Sequence, residues 1–387
     1  MKVLSISRYL PIVGFPVIND ITLKIYANLR DKYRVESLFI MPLSHMPKWS
    51  TYLKGTLKNR YKIIQNKNYY DKQYNIPIHF FEGFFGYYSK IVGLKRFHDV
   101  TIQFPFYKRN LYKHIKKFNP DLVHAHTMQD AFYAYKIYKK FGISYIITLR
   151  GTFNNFYRTR LIKKVLDNAQ KVVTPSARLK SDLDEFYDVD LLPHGVDKKW
   201  YFEGKKEFDS NTLHIITVAS LIEMKNIQLV IKSVSKLIKK GHKIQYSIVG
   251  EGEYQETLMQ LVEKEKIEDA VTFHGFLTHD EIRKLYNSHD VFVMLSFPET
   301  FGRVYFEAAA QGLLIIGRKG TGMDGYFDSD EAFTIEANED EVCEVLKIID
   351  KSIFDKMTIK SRQRIEDFKN DKIIKEYNKI LISANQS

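Results

Sequence analysis

Apolar positions along the chain change their spacing in a repeating way, and that change predicts the elements. Val3-Leu4-Ser5-Ile6 is a short apolar run that reads as a buried strand. A loop with Pro11, Gly14 and Pro16 follows, and Ile18, Ile21, Ile25 and Leu29 then recur at helical spacing. Leu122-Val123-His124-Ala125 reads as a strand after the turn signal Asn119-Pro120-Asp121. A helix over about 129–140 and a strand over 144–148 complete a βαβ unit. Val172-Val173-Thr174 and Leu191-Leu192 predict two further short strands, and between 40 and 110 the pattern assigns no element.

The second half alternates more regularly. Strands are predicted over 213–218, 244–249, 271–273, 291–295 and 313–316. Helices fall between them, over 254–264, 280–286 and 304–310, and the stripe Ile227, Val230, Ile231, Val234, Leu237, Ile238 stops at Gly241, a cap candidate. A last helix covers about 371–381. Nearly continuous apolar strands alternating with helices mark a parallel sheet covered on both faces. The chain thus reads as two α/β modules joined near Lys199 to Ser210. Ligands of such sheets sit at the carboxyl ends of strands, at a switch point, so the loops after strands are where chemistry belongs.

Length and composition narrow the class. The 387 residues are 44% hydrophobic and 27% charged, which suits two or three globular domains and excludes a disordered or fibrous chain. No uncharged run comes near the ~18 apolar residues of a membrane span. Arg8 stands where a signal peptide needs its apolar centre, and Cys343 is the only cysteine, so a cytoplasmic location is expected.

Charge is unevenly placed. Residues 1–200 hold 34 Lys and Arg against 15 Asp and Glu, and the remainder 25 against 31. The halves stand at +19 and −6, which together give the +13 of the chain. The basic half mixes cations with aromatics, as in residues 48–54 and 106–113, a composition that suits an anionic membrane face, where each cation gains about 1 kcal/mol. No zinc-finger spacing, RNA-binding aromatic signature or basic heptad region is present, so nucleic acid is not expected as a partner.

Candidate chemistry concentrates in Pro298-Glu299-Thr300-Phe301-Gly302-Arg303-Val304-Tyr305-Phe306-Glu307-Ala308-Ala309-Ala310-Gln311-Gly312. Glu299 lies in the loop after a predicted strand, and Glu307 lies about two turns into a helix. Gly302 sits at that helix's start, where backbone N–H groups are open to an anion. A carboxylate among alanines needs donors, and sugar or ribose hydroxyls are suitable ones.

This segment resembles the retaining GT-B glycosyltransferases of the large group 1 family (glycosyltransferase family 4), whose hallmark is S-x-x-E-x-F-G-x-x-x-x-E-A-x-A-x-G. Ser296, Glu299, Phe301, Gly302, Glu307, Ala308, Ala310 and Gly312 match it. The resemblance implies that Glu299 contacts donor-sugar hydroxyls and Glu307 the ribose, with Phe301, Gly302 and Arg303 on the donor side. Residues 218–226 resemble V-G-R-L-x-x-x-K-G, which makes Lys225 the cation for the donor diphosphate. Ser220 stands where relatives carry a phosphate-binding arginine, and either its hydroxyl makes the donor contact or another cation, Arg303 or Arg150, replaces the arginine. Gly250, in Ile248-Val249-Gly250-Glu251-Gly252, matches a donor-side strand end. His274, in Phe273-His274-Gly275-Phe276, falls where the backbone runs along the base, as a packing residue rather than a catalyst.

In the first half, Asp121-Leu122-Val123-His124-Ala125-His126 resembles D-V-V-H-x-H, which places His126 near the donor sugar and His124 deeper in its strand as a structural residue. Arg150 replaces the histidine of T-x-H-G and implies an altered acceptor or phosphate contact. His194 replaces the asparagine of P-N-G-V-D. Gly14 stands alone where the family has a glycine pair close to the donor phosphate.

The implied architecture is α/β GT-B: two Rossmann-like domains facing each other across a cleft. Residues 1–200 form the acceptor-side domain, 201–365 the nucleotide-sugar domain, and 366–387 a helix packing back toward the first. The implied activity is retaining transfer of a sugar from a nucleotide diphosphate donor, most simply UDP-linked, to a lipid-linked or glycan acceptor in bacterial surface polysaccharide assembly. His126, Lys225 and Glu299 would carry catalysis. No D-x-D pair stands near a donor loop, so no metal or other cofactor is expected. The basic half would dock on the inner face of the plasma membrane. The rival readings are a catalytically inactive GT-B scaffold and a sugar-nucleotide epimerase of related fold.

Overall fold

The computed structural model describes residues 1–7, 21–44, 68–71, 74–83, 96–150, 159–204, 206–208 and 211–386. They form two compact α/β units. The first comprises Met1–Pro175, Asp182–Leu192 and Ile374–Ser387, and the second Ser176–Ser181 and Pro193–Ile373. The chain therefore crosses into the second unit after Leu192 and returns before its last helix, Asn370–Gln386, is complete.

The first unit contains an eight-stranded sheet: β1 (Lys2–Ile6), β2 (Glu36–Ser44), β3 (Asn68–Asp71), β4 (Ile76–Gly83), β5 (Leu122–Ala125), β6 (Tyr145–Thr148), β7 (Lys171–Thr174) and β8 (Asp190–Leu191). Their order is β3-β4-β2-β1-β5-β6-β7-β8, and every pair is parallel except β3 with β4. Helix Met128–Phe141 follows β5. Thr127 caps its start by accepting from the Asp130 N–H, and Gly142 ends it at φ 72°. The span that yields no element from sequence holds the end of β2, β3, β4 and the start of the helix Arg96–Phe118. One face of the sheet packs Val3, Phe39, Ile78, Leu122 and Ile146 against Ile374, Tyr377, Leu381 and Ala384. The last helix thus completes the core of the first unit.

The second unit holds six parallel strands: β9 (Leu213–Val218), β10 (Ile244–Val249), β11 (Val271–Gly275), β12 (Val291–Met294), β13 (Leu314–Arg318) and β14 (Phe333–Ile335). Their order is β11-β10-β9-β12-β13-β14. Alternate strand residues feed two separate cores. Ile215, Ile248, Val291, Val293, Leu314 and Ile316 enter one, and Ile216, Val218, Val249, Phe292, Met294 and Ile315 the other. Both faces are covered, which is why these strands read as unbroken apolar runs. Each such buried side chain contributes roughly 1.5–3 kcal/mol.

Both strand orders contain a reversal. In the second sheet the chain runs outward through β9, β10 and β11, then resumes at β12 on the other side of β9. In the first sheet the corresponding reversal lies between β1 and β5. Loops diverge at such points and leave a crevice outside the strand ends. Among the described residues, no helix is long and apolar enough to cross a membrane.

Candidate functional site

The reversal between β9 and β12 brings together two loops that are far apart in sequence. Lys225 lies in the loop after β9 and Glu299 in the loop after β12, and Lys225 Nζ donates to Glu299 Oε2 at 2.8 Å. Both side chains are about four-fifths buried, with 18% and 20% exposure. Glu299 Oε2 also accepts from Ser296 Oγ at 3.3 Å, and Oε1 from the Thr300 N–H at 3.1 Å. The Glu299 backbone is clasped from the loop after β13. Its N–H donates to Thr321 Oγ1 at 2.7 Å, and its carbonyl accepts from Thr321 Oγ1 at 2.8 Å and from the Gly322 N–H at 2.9 Å. Glu299 is therefore held by three loops, two at its carboxylate and one at its backbone. Thr321 belongs to the turn Gly320-Thr321-Gly322-Met323-Asp324-Gly325, whose sequence resembles a donor-side glycine-rich turn of the same group 1 family; its clasp on Glu299 is what the structure adds.

Gly302 follows at φ 70° as the cap of helix Arg303–Ala310. A Cβ there would lie 2.6 Å from the Tyr305 ring, so close approach as well as dihedral angle requires glycine. The first N–H groups of this helix have no partner within their own helix, which gives this end a positive potential. Phe301 is 2% exposed and stacks on Phe306 at 4.1 Å, with His194 edge-on at 5.2 Å. The sequence-predicted Phe301 is thus a core residue that shapes the turn and lines no open surface.

Glu307 sits one turn further along the helix and is 5% exposed. Burial raises its pKa above the ordinary carboxylate value, and the Arg303 guanidinium, whose Nη2 donates to Oε1 at 3.1 Å, opposes that rise. His279 and Lys199 add weaker positive potential. Arg303 is thus paired with Glu307 in the free protein. Ser220, where the arginine is missing, is exposed at the end of β9. Gly250 lies beside it after β10, at φ 131°, where a Cβ would fall 1.9 Å from the Ala219 carbonyl oxygen. His274 turns toward the sheet. Its Nε2 lies 3.0 Å from Ser247 Oγ, and burial lowers its pKa.

In the first unit the residues singled out by sequence converge at the other reversal. His126, directly after β5, is 1% exposed, and its Nε2 lies 2.6 Å from Ser5 Oγ on β1. His124 is fully buried between Tyr26 Oη, 2.7 Å from Nδ1, and Thr148 Oγ1, 2.8 Å from Nε2. Burial, reinforced by Arg150, lowers the His124 pKa to about 3. Burial, His124 and Arg150 together lower that of His126 well below the usual value. Both rings are neutral near pH 7. Arg150 Nη2 donates to Thr22 Oγ1 at 3.1 Å, and its pKa is lowered by burial against the favourable fields of Tyr377 and the buried Asp130. His126 Nδ1 and Arg150 Nε are buried without a hydrogen-bond partner among the described residues. Thr148 is the threonine of the T-x-H-G match, whereas Ser5, Tyr26 and Tyr377 are partners that motif reading misses, because β1 and two helices deliver them separately. Gly14 lies outside the described residues.

Comparisons with known proteins fit this geometry. Residues 198–369 match the family model described as glycosyl transferases group 1, and residues 84–200 match glycosyltransferase family 4. An N-acetyl-alpha-D-glucosaminyl L-malate synthase of Bacillus anthracis is 26% identical over 73% of this chain and 83% of its own. An O-antigen biosynthesis glycosyltransferase of Escherichia coli is 30% identical over 50% of this chain and 52% of its own. Among solved structures, a sucrose-phosphate synthase of Thermosynechococcus elongatus superposes with a TM-score of 0.74 at 14% identity, over 98% of both chains. An Anabaena protein solved with UDP and glucose superposes with a TM-score of 0.68 at 16% identity, over 99% of this chain and 100% of that one.

Proposed function

This chain belongs to the glycosyltransferase group 1 family, with the GT-B fold, and on that premise we propose that it takes a UDP-linked sugar as donor. It is a glycosyltransferase of glycan or polysaccharide biosynthesis. The observation that carries the donor reading is the 2.8 Å contact between Lys225 and Glu299 at the β9–β12 reversal. A cation and a carboxylate that neutralise each other in the free protein are poised to exchange partners. The donor diphosphate takes Lys225, and a sugar hydroxyl donates to Glu299 in its place. Glu307, buried and raised in pKa, favours neutral hydroxyl donors such as those of a ribose. The Anabaena structure solved with UDP supports the choice of base.

In the proposed reaction the sugar–phosphate bond breaks as negative charge builds on the diphosphate. Lys225 and the open N–H groups at Gly302 stabilise that charge without a metal. The acceptor hydroxyl attacks from the same face, its proton passing to the departing phosphate, so configuration is retained. His126 and Arg150 serve the sugar and acceptor side, each with one buried nitrogen still to be satisfied. The acceptor is a lipid-linked or glycan chain of a bacterial surface polysaccharide, such as a capsule. The exposed cations Lys108, Arg109, Lys113 and Lys116 on helix Arg96–Phe118 support peripheral docking on an anionic membrane face.

Thermal unfolding with UDP, GDP and ADP tests the donor reading. A ligand at ~100 times its dissociation constant adds about 2.7 kcal/mol. The expected result is a shift with UDP alone that Glu307→Ala abolishes; no shift with any of the three overturns it.

A further inference from the structure

The first unit contains a cavity of ≈ 630 Å³ at the end of its sheet opposite the strand carboxyl ends. Its walls are the last turns of helices Ile21–Tyr33 and Arg96–Phe118 and the first residues of β2 and β4. Glycosyl transfer at the carboxyl ends makes no use of it. Arg30, Arg34, His79, His114 and Lys117 line it, with Glu36 as the one acid.

The balance of charge can be followed residue by residue. Arg30 is engaged. Its Nη1 donates to the Tyr74 and Asn75 carbonyls at 2.9 and 2.8 Å, and its Nε to Asp31, which fixes the turn before β4. Glu36 lies 3.9 Å from Lys2 Nζ, so its charge is offset. Arg34 and Lys117 have no acidic partner among the described residues. The His79 Nδ1 atom is buried without a hydrogen-bond partner among the described residues, and its ring lies 5.3 Å from that of His114. Cations at helix C-termini are ordinary, and the helix dipole accounts for Arg34 and Lys117 taken singly. It does not account for their convergence on a strand histidine whose nitrogen is left unsatisfied.

We propose that this cavity is a second binding site, for a phosphate monoester. Its oxygens accept from Arg34 and Lys117. A monoester near pH 7 exists both with and without its last proton, so it can meet His79 Nδ1 as donor or acceptor. The monoester has two sources, a membrane lipid that ends in phosphate or a soluble phosphorylated metabolite. The site is separate from the donor constellation and stands whether or not the UDP reading holds.

The test uses the full chain and the variant Arg34→Ala/Lys117→Ala, whose two side chains are exposed. Glycerol phosphate is titrated calorimetrically. Flotation compares vesicles of phosphatidylcholine carrying phosphatidic acid with vesicles carrying phosphatidylglycerol at matched surface charge. The expected result is binding of glycerol phosphate, or of phosphatidic acid in preference to phosphatidylglycerol. In the double variant that affinity falls at least about ten-fold, the size of one lost charge-assisted contact. The UDP melting shift stays as in the wild type, so failure of the donor reading is seen independently. Binding of neither probe, equal binding of the two charged vesicles without binding of glycerol phosphate, or wild-type affinity in the variant overturns the proposal. If the double variant does not fold, Arg34→Ala and Lys117→Ala are read singly by the same criteria.

Discussion

The exchange of partners at Lys225 makes a prediction that a purely structural ion pair does not. At 2.8 Å and an effective dielectric constant near 20, the Lys225–Glu299 attraction is about 6 kcal/mol before desolvation. Removing two largely buried charges from water cancels most of it, and a net coupling of roughly 1–3 kcal/mol remains. A double-mutant cycle of Lys225→Met and Glu299→Gln, read by urea unfolding without ligand, should return a coupling in that range. Ligand binding separates the two residues further. Lys225→Met should weaken UDP by roughly 10–150-fold, the equivalent of about 1.5–3 kcal/mol for a charge-assisted contact. Glu299→Gln frees Lys225 from its internal competitor. UDP should therefore bind it as tightly as the wild type or several-fold tighter, whereas the UDP-sugar, which needs the carboxylate for a hydroxyl, should bind more weakly. Calorimetric titration of both ligands into both variants decides the matter. If Glu299→Gln weakens UDP and UDP-sugar by the same factor, or the coupling falls below about 0.5 kcal/mol, the exchange does not occur.

Three further outcomes follow from single positions. Gly250→Ala should cost at least about 3 kcal/mol and show as loss of soluble protein, because its Cβ would meet backbone at 1.9 Å and φ is 131°; a melting temperature within a few degrees of wild type would contradict this. The His124 pKa is lowered in the fold, so His124 contributes stability that is present above pH ~6.5 and is lost as pH falls toward 3. Between pH 6.5 and 4.5 that loss is about 2.3 kcal/mol, and His124→Gln should remove it, flattening the pH dependence of urea unfolding; parallel curves for the two proteins would refute it. Glu307 has the opposite sign: its pKa is raised, so its contribution is present below pH ~4.5 and is lost as pH rises through the folded value. Glu307→Gln should therefore gain on the wild type from pH 4.5 to 7, and a constant or shrinking difference would show that Arg303 outweighs burial.

Much of the second unit is legible in the sequence, and the reason is physical. β9, β10, β12 and β13 are covered on both faces, so their apolar runs are unbroken and their bounds are read within a residue or two. β14, with three residues, is too short to leave a pattern. In the first unit, β3 is a four-residue antiparallel edge, and helix Arg96–Phe118 contains Pro105. Its buried stripe of Tyr107, Leu111 and Ile115 is real but is masked by the lysines interleaved with it. The site divides in the same way. Glu299, Gly302 and Glu307 lie on one continuous motif and can be found from spacing. The partnership of Lys225 with Glu299, 74 positions apart, depends on β9 lying beside β12. The contacts of His126 and His124 with Ser5 and Tyr26 depend on β1 lying beside β5 and on the helix that follows β1. Strand order, which local periodicity does not encode, is what composes both clusters.

The return of residues 374–386 to the first unit also bears on how the protein is made. The second unit from Pro193 to Ile373 is nearly continuous and needs only Ser176–Ser181 from earlier in the chain. The first unit begins earlier but lacks Ile374, Tyr377, Leu381 and Ala384 until translation has passed through the whole of the second. The order of synthesis and the order of completion are therefore reversed: the half that emerges first closes last. Until it closes, the sheet face formed by Val3, Phe39, Ile78 and Leu122 lacks its final helix on the ribosome.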